Sequence, residues 1–95
     1  MTFPMITLPV PETALYNHTL PVVESWLQSL GCQQDRNNLN LWYVKRPGWE
    51  AEISMEVEDV RVRYINAVAG NKDVYRSFPY SLSRKDIEDA IFIGP

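Results

Sequence analysis

The sequence predicts an α+β domain of order α-β-β-β-(β)-α, an antiparallel meander sheet with both helices packed on one face. Three observations predict it. Residues 49–57 alternate apolar and polar side chains with period two. The segments on either side pair with them across short reversals, apolar to apolar and charge to opposite charge. Apolar stripes of helical period bracket the strands at residues 21–30 and 84–92.

Residues 1–18 contain Pro4, Pro9 and Pro11, each of which removes a backbone donor and fixes φ, so an extended arm is expected there. The arm also carries Phe3, Met5, Ile6, Leu8 and Val10, more apolar surface than a solvated linker needs. It is expected to lie across the domain or to dock on a partner. Residues 19–95 form the single domain. The first helix starts near Pro21, favoured in a first turn because its missing N–H would be unpaired there anyway, and Gly31 ends it. Val22, Val23, Trp26, Leu27 and Leu30 make its buried stripe.

Residues 33–38 are polar and read as a turn, and residues 39–46 as a strand. Pro47-Gly48 suits a type II turn, with glycine taking the positive φ. In residues 49–57, Trp49, Ala51, Ile53, Met55 and Val57 share one face, and Glu50, Glu52, Ser54 and Glu56 the other. Arg46 is expected opposite Trp49, Val44 by Ala51, Trp42 by Ile53 and Lys45 by Glu50. A reversal at Glu58-Asp59 places Val57 opposite Val60, Met55 opposite Val62, Ile53 opposite Tyr64 and Glu56 opposite Arg61, with Glu52 diagonal to Arg63. Residues 74–78 form a fourth, edge strand ended by Pro79. Ser83 caps the last helix with Asp86 three residues on, and Ile87, Ala90 and Ile91 are its buried side. The core face is Trp42, Val44, Ile53, Met55, Val62 and Tyr64. The opposite face is half wet.

Ninety-five residues, 45% of them apolar and 22% charged, suit one globular domain. A net charge of −3 argues against nucleic acid. Cys32 is the only cysteine, which suits a reducing compartment. The N-terminus makes a poor signal peptide, and no apolar stretch approaches the roughly 20 residues of a membrane span.

Candidate chemistry is sparse. Glu50, Glu52 and Glu56 share a face, as a pair of acid and base carboxylates would, but each has a basic cross-strand neighbour and reads as part of a solvated ionic surface. His18 has no second histidine to join it, so a turn hydrogen bond is its expected role. Cys32 follows a helix C-terminus, where the dipole disfavours a thiolate. One Cys and one His cannot assemble a zinc site, and no cofactor is implied. Helix, three strands, helix is also the order of the double-stranded-RNA-binding domain. That module starts its last helix with lysines, whereas here Arg84-Lys85 are followed by Asp86, Glu88 and Asp89. The strongest functional hint is a patch on the open sheet face of Arg61, Arg63 and Arg76 with Tyr43, Tyr75 and Tyr80, since Arg and Tyr are enriched where proteins bind proteins.

Residues 15–21 (LYNHTLP), 31–39 (GCQQDRNNL) and 80–84 (YSLSR) resemble a small family of cyanobacterial and plastid proteins, a domain of unknown function. The resemblance covers residues 14–95. It implies a cytoplasmic or stromal setting, peripheral to thylakoid membranes, and an accessory role around photosynthetic complexes. No catalytic residue comes with it.

The expectation is therefore a non-enzymatic accessory or assembly protein that binds a larger complex through Tyr43, Arg61, Arg63, Tyr75 and Arg76, through the edge strand, or through the arm. One alternative is a ligand-binding protein or enzyme with a pocket between helices and sheet lined by Trp26, Trp42 and Trp49. The other is an RNA-binding module.

Overall fold

The computed structural model describes residues 11–15, 18–68 and 71–95. The greater part of the expected arm, residues 1–10, lies outside them. Element order is α1 (Leu20–Ser29), β1 (Gln33–Gln34), β2 (Leu41–Arg46), β3 (Trp49–Met55), β4 (Asp59–Val68), β5 (Lys72–Pro79) and α2 (Arg84–Phe92). The five strands make one antiparallel meander, with neighbours in space in the same order as in sequence.

α1 has proline in its first turn and ends at Leu30. Gly31 takes a φ of 83°, its N–H reaches the Gln28 carbonyl, and the Cys32 N–H reaches that of Leu27. This left-handed close satisfies two carbonyls that the helix end would otherwise leave unpaired, and glycine adopts it without a Cβ clash. The closure also turns the chain directly into β1, where Gln33 and Gln34 pair with Tyr43 and Trp42. The polar composition of residues 33–38 reads as a turn along its whole length, but only its second half is one. The Asp35 carboxylate accepts from the Asn37 and Asn38 backbone N–H groups and reverses the chain there.

The β2–β3 register is the expected one, with Trp42 opposite Ile53, Val44 opposite Ala51, Lys45 opposite Glu50 and Arg46 opposite Trp49. Gly48 has a φ of 88°, as the Pro47-Gly48 turn requires. The β3–β4 register differs. Met55 lies opposite Val60, Ile53 opposite Val62, Ala51 opposite Tyr64 and Glu52 directly opposite Arg63. The reversal falls one residue earlier, at Val57-Glu58, because the Glu56 N–H closes on the Asp59 carbonyl. Val57 is therefore a turn residue, 95% exposed, rather than a member of the core face. The slip is two residues in pairing, an even number, so every other side chain keeps its expected face. Size explains the choice: the small Ala51 leaves room across the ladder for the Tyr64 ring, which packs edge-on against Trp49 at 5.4 Å.

Both helices bury their stripes in one core. Val23, Trp26 and Leu27 of α1 and Ile87 and Ile91 of α2 cluster with Trp42, Val44, Ala51, Ile53, Val60, Val62 and Tyr64. Met55, expected among them, is only partly buried. The helices are tied to each other where Trp26 Nε1 donates to Glu88 Oε1 at 2.8 Å, and α2 is tied to the sheet where the Tyr64 hydroxyl donates to the Ile91 carbonyl at 2.6 Å. Ser83 caps α2 by accepting from the Asp86 N–H. The base of the arm is part of this assembly. Leu15 is 1% exposed and joins the core, while the Thr13 and Pro11 carbonyls accept from the Arg84 and Lys85 N–H groups and occupy donors of the first turn of α2.

Candidate functional site

With both helices on one side, the other side of the sheet is left uncovered by the described residues, and its members follow from the register. One row crosses all five strands in the order Gln33, Tyr43, Glu52, Arg63, Tyr75. At its centre Arg63 meets Glu52 through two nitrogens, Nη2 to Oε1 at 2.6 Å and Nε to Oε2 at 3.2 Å. Its third nitrogen, Nη1, donates to Asp73 Oδ2 at 3.0 Å. The paired geometry with Glu52 is the stronger kind of arginine–carboxylate contact. That hydrogen bond, reinforced by the nearby Glu52 and Asp73 charges and opposed by desolvation, holds the guanidinium pKa above its ordinary value. Arg63 is thus a fixed, partly neutralised group.

Asp73 holds a second position as well. Its Oδ1 accepts from the Asn66 N–H, and Asn66 sits at a φ of 53° where the β4–β5 pairing slips between Tyr64 and Val68. Asparagine tolerates that left-handed backbone better than most residues. One carboxylate therefore locks both the bulge and the arginine. Residue spacing predicts no partnership between Asp73 and Arg63, because the bulge that aligns them is a tertiary feature.

The other expected site residues are placed as follows. Tyr75 flanks Arg63 on β5 and is 70% exposed. Tyr43, at the far side of Glu52, points its hydroxyl toward Asp35 Oδ1 at 3.4 Å, and desolvation with the Asp35 and Glu52 charges raises its pKa. Arg61 is exposed and pairs with Asp59 at 3.1 Å, not with Glu56, whose carboxylate accepts from the Ser54 hydroxyl. Arg76 is not brought to this row. It pairs with Val62 and so takes the helix side of the sheet, where it borders a groove with Phe78, Ala90 and Ile93. The reason is parity: it is one residue from Tyr75, and adjacent strand residues face opposite ways. Tyr80 is also elsewhere, its hydroxyl on the Glu56 carbonyl. Two open depressions mark the uncovered face. One of about 350 Å³ runs from Leu41 and Ser54 past Arg61 to Tyr75 and Ser77, and one of about 420 Å³ lies among Gln33, Tyr43, Lys45, Glu50 and Ile65.

The remaining reactive groups have structural positions. Burial pushes the Cys32 thiol up to about 11, against a smaller lowering by Arg46. His18 contributes its backbone N–H to the Leu15 carbonyl, whereas its Nε2 is buried with no hydrogen-bond partner among the described residues. Trp26 and Trp42 are each 1% exposed within the core, and Trp49 packs on Tyr64 and Phe92. Among the described residues, no group of three or more His, Cys, Asp or Glu side chains is placed to hold a metal ion, and no helix is long and apolar enough to cross a membrane.

The fold and this face define a small α+β domain with an ion-paired, tyrosine-flanked open sheet. The chain belongs to the family described as protein of unknown function DUF3143, whose model matches residues 30–94, from the close of α1 to the end of α2. No curated protein and no solved structure gives a significant match.

Proposed function

We propose that this protein is a non-enzymatic accessory or assembly factor that docks on a larger protein complex through its open sheet face. The observation that carries the reading is the juxtaposition of exposed Tyr75 with an Arg63 already held by Glu52 and Asp73. A side chain immobilised before contact loses little rotamer entropy on binding, and Tyr and Arg are the residue types that most often anchor protein interfaces. The Glu52 and Asp73 carboxylates are committed to ion pairing with Arg63, which favours recognition over acid–base chemistry.

The resemblance to cyanobacterial and plastid proteins makes photosynthetic complexes, and a cytoplasmic site at the thylakoid surface, the first partners and place to test. The experiment is co-purification from native lysate followed by mass spectrometry, with Tyr75→Ala and Arg61→Glu as comparison chains. Both substitutions are at exposed positions and leave the core untouched. The expected result is a defined complex retained by the parent and lost by both variants. Elution of the parent alone at monomer size, or equal retention by the variants, refutes the reading.

A further inference from the structure

A second feature lies at one end of the sheet, away from the Arg63 row. Among the described residues, Leu20 (64%), Leu39 (66%) and Val57 (95%) are large apolar side chains that remain exposed. Their nearness follows from named contacts. The Asn40 carbonyl, next to Leu39, accepts the Met55 N–H at 2.8 Å, which sets the start of β2 beside the Val57-Glu58 turn. Gln34 Nε2 bridges the Leu39 carbonyl at 2.7 Å and Glu24 Oε2 at 3.1 Å, and Glu24 is one helical turn from Leu20. Between Leu20 and Met55 runs a groove of about 280 Å³, walled also by Leu15 and Val23, with His18, Glu56 and Tyr80 as its polar members. His18 Nε2, buried in that wall, has no hydrogen-bond partner among the described residues.

Charge decides what such a surface can receive. Glu24 follows Leu20 by a turn, Glu56 and Glu58 stand on either side of Val57, and Asp35 and Asp59 are close by in the same loops. Against them stand Arg36 and Arg61, and Arg61 and Asp59 offset each other as an ion pair, which leaves Glu24, Asp35, Glu56 and Glu58 in excess. The first turn of α2 adds Arg84, Lys85 and Asp86, with Arg84 already engaged by Glu88. An apolar patch rimmed by carboxylates repels an anionic membrane, a nucleic acid and a second copy of itself, and attracts a segment that carries apolar anchors between basic residues. We propose that this end of the sheet is a second docking surface and that its occupant is such a basic, apolar-anchored segment of another protein. Leu20, Leu39 and Val57 supply the area, and Glu24, Glu56 and Glu58 the steering.

The test uses the full chain and a panel of synthetic amphipathic peptides of about 15 residues, matched in apolar positions and flanked by lysine in one set and glutamate in the other. Fluorescence anisotropy is read at low and high salt. The lysine peptides are expected to bind, more weakly as salt rises. Val57→Asp and Leu39→Asp should each weaken that binding roughly tenfold, and Glu58→Lys should narrow the preference for lysine over glutamate. Tyr75→Ala should leave it unchanged, which separates this surface from the open-face docking proposed above. All of these positions are exposed, and circular dichroism verifies that each variant is folded. Equal binding of the two sets, no binding of either, indifference to Val57→Asp, a self-dimer broken by Val57→Asp, or preferential capture by anionic vesicles overturns the proposal.

Discussion

Tyr64 is where the sheet, its turn and α2 meet, so removing its hydroxyl tests the packing scheme with one atom. The ring lies opposite Ala51, packs edge-on against Trp49, and sends its hydroxyl to the Ile91 carbonyl at 2.6 Å from a fully buried position. Tyr64→Phe keeps the ring and deletes the bond. Two magnitudes are available for the cost. Losing a typical buried hydrogen bond costs about 0.5–1.5 kcal/mol, whereas stranding a buried polar group costs about 1–3 kcal/mol. The structure chooses the smaller, because the Ile91 carbonyl also accepts the Gly94 N–H at 3.2 Å and keeps that partner in the variant. The expected destabilisation is therefore about 1 kcal/mol, or roughly 4–8 °C in Tm for a domain of this size. Urea unfolding followed by circular dichroism should show a lower midpoint at unchanged slope. A loss above about 3 kcal/mol would mean that the carbonyl has no second partner, and a loss below about 0.3 kcal/mol would mean that the hydroxyl is not bound to it.

Two further outcomes are expected. Leu15→Ala should cost about 2–5 kcal/mol, the range for an aliphatic side chain removed from a closed core, although the residue precedes the first helix in a segment whose prolines suggest an arm; an effect under about 1 kcal/mol in the same urea assay would show that the base of the arm does not dock. Stability should fall on the alkaline side as the Cys32 thiol, 9.0 when unfolded and about 11 when folded, is deprotonated first in the unfolded chain. The contribution is fully present below about pH 9 and lost toward pH 11, at most roughly 2–3 kcal/mol, and Tyr64 and Tyr80, whose pKa values burial also raises, act in the same direction above pH 10. Cys32→Val should flatten the pH 9–11 part of the curve; an unchanged slope there would place the loss elsewhere.

The open-face row shows how legibility divides. Tyr43, Arg61, Arg63 and Tyr75 fall on the uncovered side as strand alternation requires, and the β2–β3 pairing can be written down residue by residue from Trp42 to Ile53. Arg76 was legible too, since the period that puts Tyr75 on the open face must put its neighbour on the helix side of the sheet, but composition grouped the two. Asp73 was not. It reaches Arg63 only because the strand bulges at Asn66, and no local pattern encodes a bulge of that kind. The grouping of Leu20, Leu39 and Val57 was equally hidden, because those residues come from a helix, a loop and a turn far apart in the chain.

Side-chain periodicity alone determined the types of both helices and of the longer strands, the α+β class and which face of those strands is buried, because 3.6 and 2.0 are properties of the local backbone and survive a shift in pairing. Tertiary structure decided the β3–β4 register, the conversion of Gln33 and Gln34 into an edge strand, the docking of Leu15 and the Glu52–Arg63–Asp73 cluster. Each of these depends on how volumes and charges distant in the chain fit together, as Tyr64 fits over Ala51, and that fit exists only once the layers have closed.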